Sequence, residues 1–257
     1  MERASVNFIK SIAPLLHKKG REEQNCFIVE GERFVKEIGQ DWRIKCIIVS
    51  EDYAKSKGSQ FECKANVFIT PEYLFKKISD TVTPQGIIAV CEKRLFRLEE
   101  AVRPGGISLL CDRISDPGNL GTLIRTANAA GADCAILLNS CELYNPKVIR
   151  SSTGSVFHLP CIEEESLEKI LRLFHEQDIR TVAAVVRDGT LVYDAELTPP
   201  VCLMVGSEAC GLSDELIGRA DMRVVLPMRP GAESLNASVA GSVLLYEIVR
   251  QRLRRQI

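Results

Sequence analysis

The strongest constraint on this chain is a rhythm that sets in after residue 106. Short apolar runs recur at 107–111, 134–138, 181–186, 201–205 and 222–226, with helical patterns between several of them, notably at 167–175. Runs of four to six apolar residues without polar alternation are the mark of strands covered on both faces. Strands that alternate with helices predict an α/β fold with a mostly parallel sheet, which takes its ligands at the carboxyl ends of the strands.

The residues before this rhythm have a weaker version of it. Residues 5–18 read as a helix with Val6, Ile9, Ile12 and Leu16 on one face, followed by strands at 26–29, 44–49 and 86–91. A helix is expected after Gly31 and another from Pro71, since proline is favourable at a first helical position. This predicts a small α/β unit over 1–95, a charged linker containing Pro-Gly-Gly at 96–106, and a larger domain over 107–257.

At 257 residues, one large domain or two modest ones can form. No stretch has the ~18 uninterrupted apolar residues of a membrane span. Residues 1–19 carry charges and a proline instead of a compact apolar core with a cleavage site, so a cytoplasmic location is expected. Ten cysteines are scattered, from Cys26 to Cys210, without a C-x-x-C pair. Most, Cys63 excepted, lie in or beside apolar runs, where free cysteine acts as a small hydrophobe. His17, His158 and His175 have no ligand spacing, and no metal is expected.

The net charge of −1 does not advertise nucleic-acid binding. An RNA surface would have to be a local patch, with Lys18-Lys19-Gly20-Arg21, Lys76-Lys77 and Arg250, Arg252, Arg254 and Arg255 as candidates. Each is equally the composition of a solvated surface.

Three loops carry the polar chemistry. The first reads Asp112-Arg113-Ile114-Ser115-Asp116-Pro117-Gly118-Asn119 and runs into a helix over about 119–130. Asp-Pro-Gly-Asn makes a tight turn, and Asn119 can cap the helix. Arg125 lies six residues on and well round the helix. Its place among Ile124 and Ala127 predicts burial at an interface or site. The second loop, 203–212, contains Val205-Gly206-Ser207-Glu208-Ala209-Cys210-Gly211-Leu212, where Gly206 would let the backbone approach a ligand. Gly211 is followed by Leu212-Ser213, which excludes a phosphate-binding P-loop, and neither G-x-G-x-x-G nor G-x-S-x-G occurs.

The third stretch reads Leu226-Pro227-Met228, a Pro/Gly loop, then Glu233-Ser234-Leu235-Asn236-Ala237-Ser238-Val239-Ala240. Ser234 reads as an N-cap, with Leu235, Val239, Ala240, Val243, Leu244 and Ile248 on one helix face. Asn236 stands out inside the first turn, beside a cap that did not need it. A helix terminus, loop amides and two short polar side chains converge there on something polar.

Together, N-x-x-G-x-x-x-R-T-A, V-G-x-E-x-x-G-L and L-P-M followed by E-S-L-N-x-S-V-A closely resemble the three motifs of the SpoU/TrmH family of RNA methyltransferases, in the SPOUT class. Phe27-Ile28-Val29-Glu30-Gly31-Glu32-Arg33 and Thr83-Pro84-Gln85-Gly86 resemble the ends of the substrate-binding domain that precedes many of them. The resemblance implies a parallel-sheet SPOUT domain with a deep trefoil knot, preceded by an L30e/L7Ae-like RNA-binding domain. It also implies methyl transfer from S-adenosylmethionine to a ribose 2′-hydroxyl, most simply in 23S ribosomal RNA, by a homodimer. Asn119, Arg125, Glu208, Ser234 and Asn236 would form the catalytic group, and Gly206, Leu226, Met228 and Leu235 would hold the cofactor. A guanidinium with a pKa above ~12 is a poor base, so Arg125 is expected to orient the acceptor instead of taking its proton. The alternatives are a tRNA substrate, or an RNA-binding module that has kept the scaffold without the chemistry.

Overall fold

The computed structural model describes residues 2–57, 65–164, 166–231 and 233–254; Cys63 and Arg255 lie outside them. The chain opens with β1 (Glu2–Arg3), α1 (Val6–Ile12), a 3-10 turn (Ala13–Leu16), α2 (Lys18–Gln24), β2 (Cys26–Glu30) and α3 (Glu32–Lys36). Then come β3 (Ile44–Ser50), α4 (Glu51–Lys57), β4 (Asn66–Thr70), α5 (Glu72–Phe75), β5 (Ile87–Glu92) and α6 (Leu98–Ala101). β6 (Ile107–Asp112), α7 (Pro117–Ala129), β7 (Cys134–Leu138), α8 (Pro146–Ser151) and a second 3-10 turn (Ser155–Phe157) follow. β8 (Cys161–Glu163), α9 (Leu167–Glu176), β9 (Arg180–Ala184), β10 (Thr190–Leu191), β11 (Val201–Gly206), α10 (Asp214–Arg219), β12 (Met222–Val225) and α11 (Ala237–Arg254) complete it.

These elements divide into two compact units, Met1–Arg94 with Tyr144–Phe157, and Leu95–Leu143 with His158–Ile257. In the first, a mixed five-stranded sheet has the order β1-β4-β3-β5-β2. One face is covered by Ile9, Ile12, Leu15, Phe75 and Ile78. The single helix expected over 5–18 is broken. Pro14 lacks the N–H that would continue α1, and the tighter 3-10 turn that follows buries Leu15, not Leu16. Phe27, Trp42, Tyr144 and Phe157 form an aromatic cluster, with Phe27 and Tyr144 centroids 4.5 Å apart. The Trp42 indole N–H donates to the Phe157 carbonyl at 3.0 Å. Residues 144–157, which follow β7 in sequence, thus pack with this unit.

The second unit holds a seven-stranded, wholly parallel sheet in the order β10-β12-β9-β11-β6-β7-β8. β6, β7 and β11 are buried at every residue, as their unbroken apolar runs require. Each fully buried Leu, Ile or Val side chain contributes ~1.5–3 kcal/mol of transfer free energy. The stretch expected as a linker is part of this unit's core, because Leu98, Ala101 and Val102 pack with Leu110, Ile136 and Met204. Seven of the described cysteines are strand residues buried in the two sheets, and burial pushes the thiols of Cys46 and Cys134 up to about 11. Among the described residues no helix is long and apolar enough to cross a membrane.

α11 has two apolar sides. Leu244, Leu245 and Ile248 are buried, whereas Val239, Val243, Tyr246 and Leu253 are 41–56% exposed. The single face expected for Leu235, Val239, Ala240, Val243, Leu244 and Ile248 merged these two sides. On its buried side α11 lies close against α7 and β11. A Cβ at Gly241 would stand 2.5 Å from Leu123 Cδ2, and Thr126 and Ser242 share a hydroxyl hydrogen bond of 2.9 Å.

Candidate active site

β6 and β11 are neighbours, with Gly206 level with Asp112. The loops that leave them emerge side by side at the carboxyl edge of the sheet, the place where parallel sheets take ligands. Asp112 is buried, and its Oδ2 accepts from the Ser213 backbone N–H at 2.8 Å, fastening the second loop to the end of β6. Gly206 serves the same loop, since a Cβ there would lie 2.1 Å from Gly211 C and Leu212 N. The close approach is made by the chain's own backbone, folded over through the Ser207–Gly211 bridge.

Both helix starts differ from expectation in one informative way. α7 begins at Pro117, capped by Asp116, whose Oδ1 accepts from the Asn119 N–H at 2.9 Å. Asn119 is therefore relieved of capping, and its side chain faces elsewhere. α11 begins at Ala237, not Ser234. The cap is Asn236, whose Oδ1 accepts from the N–H groups of Ser238 at 3.0 Å and Val239 at 3.2 Å. The asparagine that looked superfluous is the one that starts the helix.

The remaining atoms of these asparagines meet at Glu208. Asn236 Nδ2 donates to Asn119 Oδ1 at 3.1 Å and to Glu208 Oε1, and Asn119 Nδ2 donates to the same Oε1 at 2.5 Å. Ser238, buried in the first turn of α11, places its hydroxyl 3.2 Å from Asn119 Oδ1 and 2.7 Å from Asn236 Oδ1. Sequence reasoning passed over Ser238 and Asp116. The signal was available for Ser238, because the second helical residue of a helix directs its side chain back toward the cap.

Glu208 also borders a cleft that is partly open to solvent. Val205, Gly206, Leu226, Met228, Ser234, Leu235, Ala240 and Leu244 contribute to its wall. The sheet's carboxyl edge thus brings together Gly206, Glu208, Leu226, Met228, Ser234 and Leu235, with Asn119 and Asn236 joined to them through Glu208. Arg125 is not among the cleft-lining residues; it is exposed on α7 and is not buried within this chain.

The cleft suits a ligand with an apolar body and several hydrogen-bonding edges. Among the described residues, the backbone polar groups of Leu226, Met228 and Leu235 make no hydrogen bond. They stand at the wall of a slot lined mostly by apolar side chains, where unpaired main-chain groups need a partner. A nucleoside-bearing cofactor such as S-adenosylmethionine fits that donor and acceptor set. Among the described residues no group of three or more His, Cys, Asp or Glu could hold a metal.

Comparison with known proteins agrees with this geometry. Residues 106–246 match the SpoU rRNA Methylase family, and residues 7–89 match the MRM3-like substrate binding domain. The 23S rRNA (guanosine(2553)-2′-O)-methyltransferase RlmP of Bacillus subtilis is 31% identical over 96% of this chain and 98% of its own length. A 23S rRNA (uridine(2479)-2′-O)-methyltransferase of Streptomyces viridochromogenes is 30% identical over 94% of this chain and 88% of its own. The SpoU methyltransferase AviRb from Streptomyces viridochromogenes, solved with the cofactor AdoMet, superposes with a TM-score of 0.86 at 28% identity, covering 95% and 97% of the two chains. An α/β chain with a parallel sheet, a cleft at its carboxyl edge and these matches over nearly its whole length belongs to the SpoU rRNA methylase family.

Proposed function

We propose that this protein transfers a methyl group from S-adenosylmethionine to a ribose 2′-hydroxyl of 23S ribosomal RNA, in the cytoplasm and as a homodimer. The observation that carries the reading is the meeting of Asn119, Asn236 and Glu208 at the edge of a cleft walled by Gly206, Leu226, Met228, Ser234 and Leu235. When bound, the cofactor supplies a methyl group already made electrophilic by its sulfonium, so the protein's task is placement. Backbone groups of Leu226, Met228 and Leu235 hold the nucleoside, while Glu208 and the two asparagines receive and orient the acceptor hydroxyl. Ser234 borders the same space.

Arg125 completes the site from a second copy in this reading. Its exposure on α7 and its absence from the cleft wall support an origin outside the chain. So does the exposed stripe Val239, Val243, Tyr246 and Leu253, at i, i+4, i+7 and i+14 on one side of α11. A stripe of that kind suits a self-complementary interface between copies. From there the guanidinium would hold an RNA phosphate and direct the hydroxyl. The deep trefoil knot of the class belongs to the same proposal.

Residues 1–95 are assigned to RNA binding, and their presence favours ribosomal RNA over tRNA. The test is transfer of tritiated methyl from S-adenosylmethionine to 23S rRNA and to tRNA, followed by mapping of 2′-O-methyl positions in cells with and without the gene. Labelled 23S rRNA is the expected result. Labelled tRNA alone would move the substrate, and RNA binding without transfer would leave a non-catalytic module.

A further inference from the structure

We propose that Ser238 is a positioning residue of the methyl-transfer site: its hydroxyl holds the Asn119 amide so that both asparagines present their N–H groups to Glu208. The inference rests on the function proposed above and deepens it.

The orientation of each amide follows from its neighbours. Asn236 Oδ1 receives two backbone N–H groups, from Ser238 and Val239, and a backbone N–H can only donate. Its Nδ2 must therefore face the other way, toward Asn119 Oδ1 and Glu208 Oε1, and both of its hydrogens are used. Asn119 then has its oxygen turned toward α11 and its Nδ2 turned toward Glu208. Asn236 is thus held by the helix it caps.

Among the described residues, Asn119 has no such main-chain anchor for its side chain, and its Oδ1 accepts only from Asn236 Nδ2 and from the Ser238 hydroxyl. Ser238 is 5% exposed, so water does not readily replace that hydroxyl. Its one hydrogen lies between two acceptors, Asn119 Oδ1 and Asn236 Oδ1, and ties the start of α11 to the start of α7. Two groups remain open for substrate. One is the second Asn119 amide hydrogen. The other is Glu208 Oε2, which has no partner among the described residues. A ribose hydroxyl needs such a pair, one donor and one acceptor, held in fixed relation.

The test compares Ser238→Ala, Ser238→Thr, Asn119→Ala and the Ser238→Ala/Asn119→Ala double variant. Ser238→Ala is expected to lower kcat by about tenfold, the loss of one buried hydrogen bond, with unchanged KM for RNA and unchanged S-adenosylmethionine binding. Ser238→Thr keeps the hydroxyl and should recover most of kcat. In the Asn119→Ala background Ser238→Ala should add less than about twofold, because its effect passes through the missing side chain. The side-chain amide resonances of Asn119 in ¹⁵N spectra of the protein should shift or broaden in Ser238→Ala, whether or not RNA is present. A Ser238→Ala enzyme within about twofold of wild type, or an effect that multiplies fully with Asn119→Ala, overturns the proposal. Unmoved Asn119 resonances overturn it too. A wild-type protein that methylates no RNA instead sinks the functional reading, and the resonances still decide whether Ser238 holds the amide.

Discussion

The two polar regions contributed by α7 are built on opposite plans. Near its start, Asn119 is locked to Asn236, Glu208 and Ser238 by bonds that all lie within one chain. Six residues further on and well round the helix, Arg125 is exposed and does not line the cleft. The first arrangement is finished by folding alone; the second is finished, on the proposed reading, by association. A helix of 13 residues thus supplies both a preorganised group at the cleft and an exposed one away from it.

The largest expected effect breaks the unfinished half. Arg125→Ala should lower methyl transfer by about 10²–10⁴-fold, the range for removing a group that acts in the transition state. Thermal stability and S-adenosylmethionine binding should stay as in the wild type. Mixing tests the shared site directly. Arg125→Ala and Asn119→Ala proteins should each keep about a hundredth of wild-type activity or less, but after co-refolding half the dimers carry one of each. Every such dimer has one site with both residues intact, so about a quarter of wild-type activity should return. No recovery would place Arg125 and Asn119 in the same protomer's site, or in none. Val243→Asp with Tyr246→Asp should give a monomer by sedimentation, and the monomer should be as inactive as Arg125→Ala.

A smaller effect separates the two asparagines. Asn236 has two tasks, as cap of α11 and as holder of Glu208; Asn119 has one. Both Ala variants should lose about 10²-fold in kcat. Only Asn236→Ala should also lose stability, by ~1 kcal/mol, the usual cost of an N-cap. Denaturant melts of the two variants side by side decide it. Equal stability would mean the α11 cap is not carried by Asn236.

These differences mark where the sequence was legible. The parallel sheet could be read from runs such as 107–111 and 201–205, because a strand buried on both faces has no other way to be composed. The site loops could be read because their polar residues follow those runs directly. The helix starts could not. Asp116 and Asn119 are both good caps three residues apart, as are Ser234 and Asn236 two apart, and only the fold shows which backbone N–H each oxygen reaches. The same limit applied to α11. Val239 and Val243 carry the same apolar pattern as Leu244 and Ile248, and periodicity does not say which side meets the rest of its own chain. Residues 144–157 escaped for a different reason. Their packing partners, Phe27 and Trp42, lie more than a hundred residues earlier.

The smallest expected effect lies at the other end of α11. Glu247 is buried, and its carboxylate takes Arg250 Nε at 2.7 Å, Arg250 Nη2 at 2.6 Å and Gln251 Nε2 at 2.8 Å. Gln251 in turn bonds the Leu197 N–H at 2.9 Å and the Ala195 carbonyl at 3.0 Å, so the group fastens the helix end to the loop before β11. The hydrogen bonds from Arg250 hold the Glu247 carboxyl below its usual range. A depressed carboxylate stabilises the fold above its unfolded pKa, ~4.3, and the contribution is lost as pH falls through the folded value. Arg250 is 42% exposed on its side chain, which screens the pair. Glu247→Gln should therefore cost only ~1 kcal/mol at pH 7, and the difference from wild type should shrink below about pH 4. Thermal melts of both proteins at pH 7 and pH 3.5 measure it. Methyl transfer should be unchanged at pH 7, in contrast to every variant at the start of the same helix. A gap that persists at pH 3.5 would show that Glu247 acts by packing and not by charge.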